Sequence, residues 1–234
     1  METQEAVKVL YEDESLVIAQ KPPGMPAQPD PSGQADLLSC LSAARPGLAL
    51  IHRLDTPTGG AMVFGKTPRA AASLSAAVQD HTVFVKEYFC VLSSAPAEPS
   101  GDWTDLLLHD SRANKTYLVD RKRSGVKSAR LTYRVVGTAP DGHALTLVRL
   151  YTGRTHQIRA QFAGHGHPLV GDGKYGSREK AATLALWAAR VTCPHPVTGK
   201  PVQAVSLPDV TVFPWSCFGQ DVWTHVFESH IEKE

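Results

Sequence analysis

Hydrophobic positions in this chain come mostly in short runs broken by polar turns, with few stretches at helical spacing. Two apolar runs, 7–11 and 16–19, flank an acidic turn and predict a pair of short strands. Residues 21–32 hold five prolines and predict an extended loop, because proline fixes φ and donates no hydrogen bond. A short helix is expected over 35–44, a strand over 48–51, and a second strand over 60–64 after the polar stretch 52–59. The alanine-rich stretch 68–79 opens on Pro68 and predicts a helix. Strands then dominate, at 83–92, 116–119, 129–136 and 144–150, with clear alternation around Arg130 to Val135. A compact helix over 155–163 and strands at 184–191 and 202–207 complete the pattern. The expected fold class is α+β, a mixed, largely antiparallel sheet flanked by short helices. Residues 1–234 are expected to form a single domain, with the linker-like 93–101 dividing it into two lobes. With the first strand beginning near Val7, no appended module is expected before it.

Composition narrows the class. At 234 residues, 42% hydrophobic and 20% charged, the chain can bury a core without staples. It contains no run approaching the ~20 apolar residues of a membrane span. Its acidic start, Met1 to Glu5, lacks the basic opening of a secretory signal. Cys40, Cys90, Cys193 and Cys217 are scattered, with no paired spacing for a disulfide framework or a zinc knuckle. Cys193 and His195 have no partners for a metal site, so no metal is expected and a buried free thiol is the reading. A monomer in a reducing cytoplasm fits these features. Net charge is only +1, but its distribution is uneven. Arg112, Lys115, Arg121, Lys122, Arg123, Lys127, Arg130 and Arg134 face Asp120 alone over 112–134, a local charge of +7. Such a stripe is either a solvated face or a contact for a polyphosphate backbone.

Two glycine patterns imitate nucleotide sites. Gly60 to Thr67 satisfies G-x-x-x-x-G-K-T, but its four central residues are apolar and strand-like, and no acidic strand end is available for a metal. Gly171 to Gly176 satisfies G-x-G-x-x-G, yet no acid lies between Glu179 and Asp209 to hold a ribose. Both are read as local structure, a strand and a tight loop. A phosphate-loop nucleotide hydrolase is therefore the weakest functional alternative.

Two polar runs carry the chemistry. His52-Arg53-Leu54-Asp55-Thr56-Pro57-Thr58-Gly59-Gly60 places an acid and two cationic side chains on a loop between strands, where catalytic groups are commonly displayed. By themselves Arg53 and Asp55 could equally form a surface ion pair. Thr152-Gly153-Arg154-Thr155-His156-Gln157-Ile158-Arg159 opens a helix with an unusual density of polar donors, suited to an anion. Together these runs resemble the RluA-type family of pseudouridine synthases. His52 to Asp55, Thr58, Gly60 and Lys66-Thr67 follow the family's H-R-L-D-x-x-T-S-G and A-K-T pattern. Gly153 to Arg159, Gly166 to Asp172 and Tyr175-Gly176 follow its late motif, and Lys21 to Gly24 and Lys86 to Tyr88 its K-P-x-G and K-x-Y. Gly59 stands where the family usually has serine, Gly65 where it has alanine, and Trp187 where histidine is frequent.

The resemblance implies a fold with a central RNA-binding cleft and an isomerase that converts uridine in structured rRNA or tRNA to pseudouridine. It implies no cofactor. Asp55 corresponds to the catalytic aspartate, Tyr88 to the active-site tyrosine and Arg159 to the active-site arginine, a candidate partner for the Asp55 carboxylate. Arg53 corresponds to the arginine that holds the flipped nucleotide; His52, Arg154 and His156 are the further substrate-binding candidates. Gly59 is expected to loosen the Asp55 loop and remove a hydroxyl near the acid. The main alternative is a non-catalytic RNA-binding or ribosome-assembly protein.

Overall fold

A computed structural model describes residues 7–227 of the chain, so the acidic stretch Met1 to Glu5 and the end of the acidic C-terminal tail lie outside the described residues. The elements run β1 (Val9–Glu12), β2 (Leu16–Lys21), α1 (Leu37–Ser42), β3 (Ala49–Leu50), β4 (Gly59–Gly65), α2 (Pro68–Ala77) and β5 (Val85–Leu92). They continue with β6 (Ser100–Asp110), β7 (Lys115–Val119), β8 (Val126–Thr138), β9 (Ala144–Leu150) and α3 (Gln157–Gly164). Last come β10 (Leu186–Pro194), β11 (Pro201–Val205) and α4 (Gln220–His225). The chain gathers into two compact units, one reaching through Tyr88 and taking in Leu186–Pro208, the other formed by Phe89–Ala185 and the segment from Asp209. The change of unit falls inside β5. Residues 93–101, expected to be the divider, lie wholly within the second unit, where Val135 N–H donates to Pro99 O at 2.7 Å and β6 has already begun at Ser100.

In the first unit the strand order is β1-β2-β4-β10-β5, with β11 on β10 and β3 on β4. β4 is buried along its whole length, antiparallel to β2 and parallel to β10. A strand covered on both faces reads as a continuous apolar run, which explains its accidental likeness to a phosphate loop. Leu16, Ile18, Ala61, Val63, Leu74, Phe84 and Val191 form its core. α2 starts where Thr67 caps it, the side chain accepting from Ala70 N–H at 3.1 Å, with Pro68 in the first turn. Its approach to β4 is close: a Cβ on Gly65 would lie 2.8 Å from Ala71 Cα, so this departure from the family's alanine lets the helix sit down on the strand.

In the second unit the order is β5-β9-β8-β6-β7, antiparallel through β9, β8, β6 and β7. Leu107, Ala129, Ala160 and Tyr175 form a core cluster that joins β6, β8 and α3. The segment Gly171 to Gly176 is a tight turn around a single 3-10 turn, Gly173–Tyr175, with positive φ at Gly171 and Gly176. Among the described residues no helix is long and apolar enough to cross a membrane.

Candidate active site

Asp55 sits in the loop between β3 and β4. Its own carbonyl accepts from Thr58 N–H at 2.9 Å, closing a turn that carries the chain into β4, and Leu54 beside it is buried. The loop is fastened from below by Lys21, the last residue of β2, whose side chain is completely buried. Its ammonium donates to Pro22 O at 2.9 Å, Met25 O at 2.6 Å and Thr56 O at 2.9 Å, so all three protons have acceptors. Gly24 N–H also donates to Thr56 O at 2.8 Å, and the +84° φ of Gly24 explains the glycine that closes Lys21-Pro22-Pro23-Gly24. Burial lowers the Lys21 pKa to about 8 against the opposing pull of Asp55, which still leaves a cation at pH 7. The early motif is thus the support of the Asp55 loop. Sequence reasoning had quoted Lys21 without giving it a role.

The neighbours of Asp55 divide into groups that serve the fold and groups that remain exposed. His52 Nε2 accepts from Val63 N–H at 3.2 Å, and its ring stands edge-on to Phe84. Burial, with the Lys86 charge adding, pushes His52 down to about 3, so it is neutral. Its acceptor nitrogen holds the loop to β4, and we read it as a structural residue instead of the substrate contact expected. Arg53 is exposed. On β5, Lys86 and Tyr88 are buried two residues apart and share a face, while Glu87 between them pairs with Arg190. Burial, reinforced by the Asp55 charge, raises the Tyr88 phenol far above its ordinary range, so Tyr88 keeps its proton.

The two departures around this loop belong together. A Cβ on Gly59 would lie 2.3 Å from Trp187 Cζ3, 2.6 Å from Trp187 Cε3 and 3.0 Å from Pro23 Cγ. Trp187 pairs with Gly59 across β10 and β4, and its indole N–H donates to Ser206 O at 3.0 Å. The indole therefore fills the space a serine side chain would need. Gly59 is buried and closely packed, which corrects the expectation that it loosens the loop.

In the second unit, α3 begins at Gln157 and not at Thr155, and its polar side chains turn out to be internal struts. Arg159 is buried, with Nε 2.7 Å from Asp172 Oδ2 and Nη2 2.8 Å from Asp172 Oδ1, and its guanidinium lies over the Tyr175 ring. Gln157 Oε1 accepts from Thr152 Oγ1–H at 2.7 Å and from Arg154 N–H at 3.1 Å, and Gln161 donates to Asp105 at 2.7 Å. His156 precedes the helix at a φ of 53°, a left-handed conformation uncommon outside glycine. Tyr175 hydroxyl accepts from Thr116 N–H at 2.8 Å, leaving its proton for His156 Nδ1 at 3.0 Å. His156 is buried, whereas Arg154 is exposed with Nε on Ser128 O. Asp172 and Tyr175, quoted only as motif letters in the sequence, are what hold Arg159 and His156.

Most of the basic stripe faces solvent: Arg112, Arg121, Lys122, Arg123, Lys127 and Arg130 are exposed. Arg130 is paired with Asp102 at 2.7 Å, and Arg121 and Arg123 line a recess of about 480 Å³ together with Leu118, Val119 and Asp120.

Comparison with known proteins bears on the family and the fold. A family described as RNA pseudouridylate synthase matches residues 15–164, a stretch that runs through both units. Ribosomal large subunit pseudouridine synthase D of Zymomonas mobilis is 33% identical over 220 residues, covering 84% of this chain and 67% of the relative. The protein of the same name from Pseudomonas aeruginosa is 33% identical over 188 residues, covering 76% of this chain and 56% of the relative. An uncharacterized RNA pseudouridine synthase of Synechocystis is also 33% identical, and the chain spans 64% of its length. In fold, human RNA pseudouridylate synthase domain containing 1 superimposes with a TM-score of 0.79 at 21% identity, covering both chains fully. The chain belongs to the RNA pseudouridylate synthase family, of the RluA type.

Proposed function

We propose that this protein isomerises selected uridines in structured RNA, ribosomal or transfer, to pseudouridine, with Asp55 as the catalytic carboxylate. The observation that carries the reading is the Asp55 loop itself, a partly exposed acid on a turn anchored by a completely buried ammonium. A group that must meet an incoming base needs such fixed placement. The reaction breaks the N1–C1′ bond of uridine, turns the base and rejoins it through C5. It needs no oxidant, reductant or triphosphate, so the side chains alone can carry it. Asp55 attacks sugar or base, or removes a sugar proton.

Tyr88 packs against the base with its phenol intact; the raised pKa disfavours any role as a proton acceptor at C5. Arg53 and Arg154, both exposed, meet the flipped nucleotide and its phosphates. Arg159, held by Asp172 in a buried two-bond pair, serves as the active-site arginine, and His156 positions the start of α3. The exposed basic stripe holds the RNA backbone. The protein works as a cytoplasmic monomer.

The test follows the C5 hydrogen, which every turnover releases. Tritium release from RNA carrying [5-³H]uridine is expected to vanish in Asp55→Asn, with RNA affinity and thermal stability unchanged. Retention of activity within about tenfold of wild type would remove Asp55 from the chemistry. Unmodified RNA in both proteins, with tight binding in both, would favour the non-catalytic alternative.

A further inference from the structure

Away from the motifs, the turn between β8 and β9 carries Asp141 and His143 and meets Cys217 of the 3-10 turn Trp215–Cys217, all inside the second unit. One ligand atom from each of the three lies within 4.8 Å of the others. His143 is 7% exposed. Its Nε2 pairs with Glu179. Its Nδ1 is buried and makes no aligned hydrogen bond, although Asp141 Oδ2 is 2.8 Å away. The other Asp141 oxygen, Oδ1, accepts from His143 N–H at 3.2 Å, which turns Oδ2 toward the ring. Ala139 N–H on His143 O at 2.8 Å and Gly142 N–H on Ala139 O at 2.9 Å fix the turn beneath them. Cys217 is a free, partly buried thiol.

We propose that Asp141, His143 and Cys217 bind one Zn²⁺ ion, with Glu179 as the outer carboxylate that orients the imidazole. With Nε2–H donating to the Glu179 carboxylate, the Nδ1 lone pair points into the cluster, the arrangement usual for a ligating histidine. Thiolate, imidazole and carboxylate together suit zinc better than magnesium or calcium, which prefer oxygen alone. On binding, the Cys217 thiol releases its proton to solvent, and the new bond is sulfur to metal. Asp141, half exposed, leaves the fourth position open to water. The ion would clasp the segment that follows Asp209 to the β8–β9 turn.

Co²⁺ titration of the purified, metal-stripped full chain tests this site. One equivalent per chain is expected to produce a near-ultraviolet thiolate-to-cobalt band with visible bands of tetrahedral strength. Cys217→Ser should abolish the near-ultraviolet band and Cys40→Ser should leave it. Asp141→Asn, which keeps an oxygen to accept from His143 N–H, should weaken affinity at least tenfold. Zn²⁺ should raise the melting temperature of wild type and not of Cys217→Ser. No band at one equivalent, a band that survives Cys217→Ser, or unchanged affinity in Asp141→Asn would overturn the site.

Discussion

Restoring the family's usual serine at Gly59 should destabilise this protein, and replacing Trp187 by histidine should relieve that effect. The Cβ of Gly59→Ser would fall 2.3 Å from Trp187 Cζ3 and 2.6 Å from Cε3, well inside the ~3.5–4.0 Å of carbon contacts. Trp187 is 5% exposed, and its indole is tied to Ser206 O, while Ser206 Oγ–H donates to Gln20 Oε1 at 2.9 Å. The ring cannot swing aside without breaking that chain. Overpacking of this kind costs about 1–3 kcal/mol, and the locked indole places Gly59→Ser at the upper end. For a chain of this size, that is a fall of roughly 6–12 °C in melting temperature. Trp187→His alone leaves a cavity and costs about 2–4 kcal/mol. In the double variant, each change removes the other's fault, so the sum should fall short by about 1–3 kcal/mol. Urea unfolding followed by far-ultraviolet circular dichroism measures all four corners of the cycle, independent of the lost indole. Additive effects would show that the two residues do not compete for one space.

Three further outcomes follow from the site. Lys21→Met should cost about 3–5 kcal/mol by leaving Pro22 O and Met25 O without their donor and Thr56 O with Gly24 N–H alone, and variants that still fold should lose turnover more than RNA affinity; equal stability by urea titration would refute the anchoring role. Arg159→Lys exchanges the two-bond grip on Asp172 for a single contact, so melting temperature and single-turnover rate should both fall while the RNA dissociation constant stays within about twofold; a loss confined to affinity would make Arg159 a phosphate contact. Reversing Arg121, Lys122 and Arg123 to glutamate should lower the slope of log affinity against log salt by about 2–3, and an unchanged slope would move the RNA path off this stripe.

How much of this was legible depends on the kind of residue that carried it. β2, β4, β5 and β9 were visible as apolar runs, and α2 as an alanine stretch opened by proline, because those elements are buried and their composition says so. β6 was missed. Its residues alternate between solvent and a half-buried face, with Asp102, Thr104, Asp105 and Asp110 along an 11-residue strand, and the prolines before it suggested a linker. α4, six residues near the C-terminal end, offered no periodic stretch long enough to recognise. At the site, Asp55 and the two polar runs stood out by residue type alone. What the sequence could not tell was which polar groups face inward. The density of donors in Gly153 to Arg159 suggested an anion site, yet Gln157, Gln161, Arg159 and His156 all bond within the second unit. The proposed metal site was not expected, because Asp141, His143 and Cys217 share no spacing and meet only through the fold.

The support of the Asp55 loop also explains why its motif tolerates free positions. The bonds from Lys21 and Gly24 that support the loop end on backbone: both reach the carbonyl of Thr56, and the turn closes through Asp55 O and Thr58 N–H. No bond described here uses the side chain of Thr56 or Pro57, and Thr56 faces solvent. A carbonyl is supplied by any residue, so the two positions between Asp55 and Thr58 can vary without moving the acid. Lys21 has no such freedom, since an arginine fork could not place three protons on three converging carbonyls in a space closed to water. Gly24 has none either, because a side chain there would be strained at its positive φ. On the proposed reading the chemistry of the motif resides in one carboxylate; its geometry resides in a lysine and a glycine 34 and 31 residues upstream, roughly the span that a proline-rich loop and one short helix need to return the chain to the same place.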